Sequence, residues 1–174
     1  MKQKLTTKLV TEFLTESNAI EDVRGEQAFN DSLAAWAVAL YAKEMSIGTI
    51  RAIHYELLSV LNPRIAGRFR NCNVRIGGKV KKFVSMELLR SRLQDLCDMF
   101  NHCDENSLYP DMADKFAEEC HVEFEDIHPF EDGNGRVGRI LWNWHRRKLG
   151  LPLKIVHADW LDGTEQRDYY KLFR

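Results

Sequence analysis

Four cysteines in 174 residues, none in Cys-x-x-Cys spacing, give this chain little covalent stapling. Cys72, Cys97, Cys103 and Cys120 lack the paired knuckles of a zinc finger, and a chain of this length folds without disulfides. A zinc site drawn from Cys97, His102 or Cys103, and Cys120 or His121 would take its ligands from separate helical segments, so it is not expected. Cysteine usage of this kind fits a reducing compartment. No apolar run approaches the roughly 20 residues that cross a bilayer. Lys2, Lys4, Lys8 and Glu12 break up the apolar residues of positions 1–14, so no secretory core is expected there. Neither sign of charge dominates: 25 Lys and Arg stand against 26 Asp and Glu, a formal net charge of −1. A general nucleic-acid binder would show a basic face instead. Repeats, low-complexity tracts and linkers are also missing. These absences predict one cytoplasmic domain over 1–174, with no membrane or nucleic-acid partner.

With 44% apolar residues, the chain can bury a sizeable core. Helical periodicity predicts helices over 4–16 (Leu5, Leu9, Val10, Phe13, Leu14), 28–43 (Phe29, Leu33, Trp36, Leu40) and 49–60 (Ile50, Ile53, Leu57, Leu58). Further helices are expected over 85–100, with Ser85 as N-cap, over 111–127, and over 164–173. Asn73 to Val84 reads differently. Val74 and Ile76 alternate with polar residues before Gly77-Gly78, and Val80, Phe83 and Val84 follow, which is a β-hairpin pattern.

The densest chemistry lies between His128 and Arg139, in His-Pro-Phe-Glu-Asp-Gly-Asn-Gly-Arg-Val-Gly-Arg. Gly133-Asn134-Gly135 can turn successive N–H groups into a concave anion nest. Val137, Ile140, Leu141, Trp144 and Leu149 then recur at helical spacing up to Gly150 and Pro152, so the loop sits on a helix N-terminus, where an anion is favoured. Arg136 and Arg139 lie three apart in the first turn. Cations there oppose the helix dipole by roughly 0.3–1 kcal/mol each, which suggests that something anionic sits between them. Arg146-Arg147-Lys148 suits the other end of the same helix and reads as a solvated run. His54, His102, His121, His145 and His157 have no such context and read as structural or solvated.

The stretch 128–139 resembles the Fic motif, His-x-Phe-x-(Asp/Glu)-Gly-Asn-Gly-Arg-x-x-Arg, at every specified position. The resemblance implies a mainly α Fic fold, a single helical bundle with one short β-hairpin flap. It also implies transfer of AMP from ATP to a Ser, Thr or Tyr hydroxyl of a protein, with self-modification included. In that picture His128 is the base, Asp132 holds Mg²⁺, and Gly133, Asn134 and Gly135 form the anion hole. Arg136 and Arg139 clamp phosphates, and Phe130 anchors the loop in the core. Gly67-Arg68-Phe69-Arg70 looks like the family's lead-in to the flap over 73–84, where Ile76, Gly77 and Gly78 would hold the target segment by main-chain pairing.

In the helical segment 1–24, Ser17-Asn18-Ala19-Ile20-Glu21 resembles the family's inhibitory motif, whose glutamate takes the arginine that would otherwise hold the γ-phosphate. A carboxylate and a phosphate compete for one guanidinium fork, so the control is physically sound. Read alone, Ser17 is a helix cap. Asp22 stands where Gly or Asn is usual. Transfer of UMP or phosphocholine, removal of AMP, and a non-catalytic nucleotide-binding module are the other readings. The intact Gly133-Asn134-Gly135 argues against a phosphorylating branch, and His128 disfavours the inert module.

Overall fold

The computed structural model describes residues 3–71, 84–104, 106–158 and 164–173. Regular structure among them is helical: α1 (Thr7–Ile20), α2 (Glu26–Tyr41), α3 (Ile47–Leu58), α4 (Met86–His102), α5 (Pro110–Ile127), α6 (Asn134–Lys148) and α7 (Thr164–Lys171). The mainly α architecture follows the periodicity. The hairpin expected over 73–84, with Ile76, Gly77 and Gly78, lies outside the described residues except for Val84.

Local chemistry sets three of the helix starts. The Thr6 hydroxyl accepts from Leu9 N–H at 3.2 Å, Ser46 accepts from Thr49 N–H at 3.1 Å, and Pro110 opens α5, where a missing N–H does no harm. Ser85 stands at the N-cap position of α4, although its side chain accepts no helical N–H. α1 differs most from expectation, because it continues beyond Glu16 to Ile20. Nothing in the sequence breaks it sooner. It closes when Asp22 turns left-handed at φ 54°, with Asp22 N–H donating to Ala19 O at 3.1 Å and Val23 N–H to Asn18 O at 3.0 Å. That pair of bonds is the Schellman arrangement, whose left-handed position is usually Gly or Asn. The preference for Gly or Asn at position 22 is therefore a backbone requirement. Ser17 is not a cap; it lies in the last turns of α1.

α2 packs on α3, α5 on α6 and α4 on α5, while α6 also touches α1, α2 and α3. This makes α6 the central helix, and every residue from Arg136 to Arg146 is buried. Around it one cluster gathers Phe13, Trp36, Ile50, Leu93, Phe124, Phe130, Val137 and Leu141, and a second gathers Ile20, Ala117, Trp142 and Tyr169. The basic run at the end of α6 is accordingly less solvated than its composition suggests. Arg146 is buried, donating Nε–H to Pro152 O at 2.8 Å and pairing through Nη1 with Asp114, and Lys148 Nζ donates to Phe100 O at 2.9 Å. Among the described residues no helix is long and apolar enough to cross a membrane.

Candidate active site

His128 is the C-cap of α5, left-handed at φ 47° and ψ 62°, a conformation a β-carbon disfavours. Several bonds hold it there. Its N–H donates to Phe124 O at 3.0 Å, Arg70 Nε–H donates to His128 O at 2.8 Å, and Arg70 N–H donates to Pro129 O at 2.9 Å. Arg70 is itself 1% exposed, so this brace is rigid. The imidazole Nδ1 lies 3.3 Å from Glu125 O and 3.9 Å from the Glu125 carboxylate. Both neighbours are acceptors, which places the proton on Nδ1 and the basic lone pair on Nε2.

Behind the loop, Phe130 is fully buried and its backbone is clasped by the Asn134 side chain. Phe130 N–H donates to Asn134 Oδ1 and Asn134 Nδ2 donates to Phe130 O, each at 2.9 Å. His54 stacks on the Phe130 ring at 3.8 Å and 2°. Its Nδ1 accepts from Gly67 N–H at 2.9 Å, so its proton is on Nε2, which donates to Asp132 O at 3.0 Å. Burial pushes its pKa down to about 4, which keeps the ring neutral. His54 is therefore a brace for the motif loop. Its sequence signal was a place on the apolar face of α3 beside Ile50, Ile53 and Leu57.

Gly133 is the N-cap of α6 at φ 77°, a left-handed turn that glycine makes without penalty. Asp132 Oδ1 accepts from its N–H at 2.7 Å, so that donor is engaged by the loop itself. The first bond within α6 runs from Val137 N–H to Gly133 O at 3.1 Å. Hence the N–H groups of Asn134, Gly135 and Arg136 have no acceptor within the helix. The donor cluster expected over Gly133 to Gly135 is displaced one residue along the chain.

The two arginines differ in their partners. Arg139 is 2% exposed and makes four hydrogen bonds: Nε–H donates to Ser17 Oγ at 2.9 Å, Nη2 to Ser17 O at 2.9 Å and to Glu21 Oε1 at 2.8 Å, and Nη1 to Tyr169 Oη at 3.3 Å. Burial opposes its charge, but Tyr169 and the Glu21 carboxylate over-compensate, so its pKa stays above the ordinary arginine value. Arg136 is 4% exposed and its Nε has no hydrogen-bond partner. Burial lowers its pKa, against the opposing pull of the Asp132, Glu21 and Asp31 carboxylates. Glu21 Oε1 also covers the helix start: a β-carbon on Gly135 would collide with it. The carboxylate thus occupies the position an anion would take at the α6 N-terminus.

Ser17 and Glu21 thus reach Arg139 from the other end of the chain, and Arg136 lies near Asp132, Glu21 and Arg139, while His128, Asp132, Gly133, Asn134 and Gly135 belong to the loop and first turn that open α6. No group of three His, Cys, Asp or Glu that could hold a metal occurs among the described residues. Asp132 alone offers an exposed carboxylate at the helix start, with one oxygen on Gly133 N–H. A single carboxylate suits Mg²⁺, which keeps most of its shell as water and phosphate oxygen.

The Fic/DOC family pattern matches residues 44–145. The C. elegans protein adenylyltransferase fic-1 is 36% identical over 116 residues, which cover 67% of this chain and 22% of that protein. The chain thus spans under a quarter of this relative's length. A solved structure of C. elegans Fic-1 superposes with a TM-score of 0.76 at 24% identity, over 97% of this chain and 56% of that one. A Fic domain-containing signaling protein from Bacteroides thetaiotaomicron gives 0.75 at 22%, over 95% and 70%. At these identities the two structures speak for the fold.

Proposed function

The chain belongs to the Fic/DOC family, and we propose that it is a protein adenylyltransferase moving AMP from ATP to a hydroxyl side chain of a protein. The observation that carries this reading is the pair of buried arginines beside unpaired N–H groups at the start of α6, one loop from a histidine whose base face is Nε2. The triphosphate would lie over Asn134 and Gly135, with the outer phosphates between Arg136 and Arg139. His128 Nε2 would take the proton of the attacking hydroxyl as oxygen bonds to the α-phosphorus and pyrophosphate leaves. Glu125 orients the imidazole and stabilises its charged form after proton transfer. Positioning and fixed charge carry most such transfers. Asp132 would hold Mg²⁺, which when bound neutralises phosphate charge. Glu21 would restrain the enzyme, since its carboxylate takes Arg139 and covers Gly135. Arg70, which precedes in sequence the segment expected to pair with the target chain, bonds to His128 O and Pro129 O beside the base.

The test is labelled ATP with the Glu21→Gly protein in lysate, beside the same protein carrying His128→Ala. Label should enter protein only when His128 is present, with a loss of about 10²–10⁴-fold on its removal. Equal labelling by the two proteins would overturn the reading.

A further inference from the structure

Arg139 is held from two sides, by Ser17 and Glu21 of α1 and by Tyr169 of α7. The two grips differ chemically. Glu21 is an anion standing over Gly135, so a phosphate there must displace it. Tyr169 is 6% exposed, and its hydroxyl accepts from the other terminal nitrogen, Nη1. The same hydroxyl lies 3.0 Å from His121 Nε2. With one donor and two lone pairs, this hydroxyl accepts from the guanidinium and also pairs with a neutral His121 at Nε2. Burial keeps His121 neutral by pushing its pKa down to about 3, and burial likewise keeps the Tyr169 phenol un-ionised. His121 in turn stacks on Trp142 at 4.6 Å and 3°, and Tyr169 packs edge-on to Phe173 at 5.2 Å. The Tyr169 ring also lies 5.7 Å from the Arg139 guanidinium. A neutral, sterically fixed hydroxyl has no reason to leave when a phosphate arrives.

We propose that Tyr169 is a positioning residue for nucleotide binding: with its hydroxyl fixed by His121, it keeps Arg139 aimed at the outermost phosphate of a nucleoside triphosphate once Glu21 has been displaced. The proposal rests on the adenylyltransferase reading, and it gives the C-terminal helix a part in triphosphate recognition. AMP lacks the outer phosphates, so its binding does not use Arg139, and a merely structural tyrosine would affect ATP and AMP alike.

The experiment compares Glu21→Gly with Glu21→Gly/Tyr169→Phe by calorimetric titration of ATP and of AMP. The phenylalanine keeps the ring and removes only the hydroxyl. ATP should weaken about tenfold, as expected for losing one hydrogen bond to a charged group, with AMP unchanged. Equal changes for ATP and AMP, or none, would overturn the role of Tyr169. If Glu21→Gly bound no ATP at all, the adenylyltransferase reading would fall as well. Should Tyr169→Phe lose its helical circular dichroism, His121→Asn in the same background carries the test, because it leaves the phenol but loosens its hydroxyl. The same selective loss of ATP is then expected, and a parallel loss of AMP would refute the proposal.

Discussion

Replacing Glu21 by Gly should destabilise the empty protein and strengthen its response to ATP, two effects of opposite sign from one side chain. Arg139 is buried and makes four hydrogen bonds, with Glu21 as the partner that brings a full negative charge. Hydrogen bonds to charged groups contribute about 1.5–3 kcal/mol, and Glu21 is 34% exposed, which argues for the lower part of that range. With about 2–4 °C of melting temperature per kcal/mol at this size, the empty variant should melt roughly 3–8 °C below wild type. The Ser17 and Tyr169 bonds remain, so the fold survives. ATP no longer has to displace a carboxylate, and 1.4–2 kcal/mol corresponds to about 10–30-fold tighter binding. At a nucleotide concentration about 100 times the dissociation constant, ligand stabilisation reaches about 2.7 kcal/mol, enough to return the variant to the wild-type range. Differential scanning fluorimetry with and without ATP reads both effects. Arg139→Ala in the variant should erase the gain in affinity, because the liberated group is then missing. Equal melting of the empty proteins together with equal ATP shifts would refute the competition between Glu21 and phosphate.

Two further outcomes follow from the backbone and from the buried histidines. Asp22 sits at φ 54° with an exposed side chain near Arg24, so Asp22→Gly relieves the left-handed strain. It should raise stability by about 1 kcal/mol and lower basal labelling by firming the turn that presents Glu21; a lower melting temperature would contradict the Schellman reading of α1. His54, His121 and His145 have folded pKa values lowered by burial to about 4, 3 and 3, against about 6.5 when unfolded. The unfolded chain therefore gains protons first, and stability falls as pH drops from about 6.5 towards 3–4. At pH 5 each histidine withdraws about 2 kcal/mol, so the urea midpoint at pH 5 should lie well below that at pH 7. Coincident midpoints at the two pH values would show that these rings are not buried and neutral.

The motif loop was legible because its chemistry is contiguous. Gly133 takes up its left-handed turn, Asn134 grips Phe130 four residues away, and the apolar spacing from Val137 marks the helix that opens at Asn134. What escaped sequence reasoning reaches across the fold. His54 braces Asp132 from 78 positions away, Arg70 braces His128 from 58, and Tyr169 reaches Arg139 from 30. A lone histidine on the apolar face of α3 marks burial but not its partner. The end of α1 was hidden for a related reason. Its last turns bury the polar Ser17 and Asn18 alongside Ile20, and Asn18 is accommodated by donating to Ala28 O at 3.1 Å and accepting from Ser32 Oγ at 2.9 Å. Hydrophobic periodicity fades there while the helix continues. Arg146 was misread because charge near a helix C-terminus ordinarily faces water, whereas α6 has neighbours on all sides.

The placement of two cations at the start of a buried helix explains why a resting inhibitor and a substrate would share one site. The dipole and the unpaired N–H groups make that end positive, and Arg136 and Arg139 add charge where burial removes water that would screen it. An empty site of this kind is unfavourable. Glu21 answers it with a carboxylate on Arg139 and over Gly135, held within reach because Asn18 locks α1 onto α2 and the turn at Asp22 ends the helix there. On the proposed chemistry, ATP brings the same charge to the same donors, so its measured affinity is a difference between two anions competing for one pair of arginines. On the same chemistry Arg136 would weigh on the side of the phosphate. Its Nε has no partner while Glu21 is bound, so a phosphate that reaches both guanidinium groups satisfies a donor the carboxylate leaves unanswered.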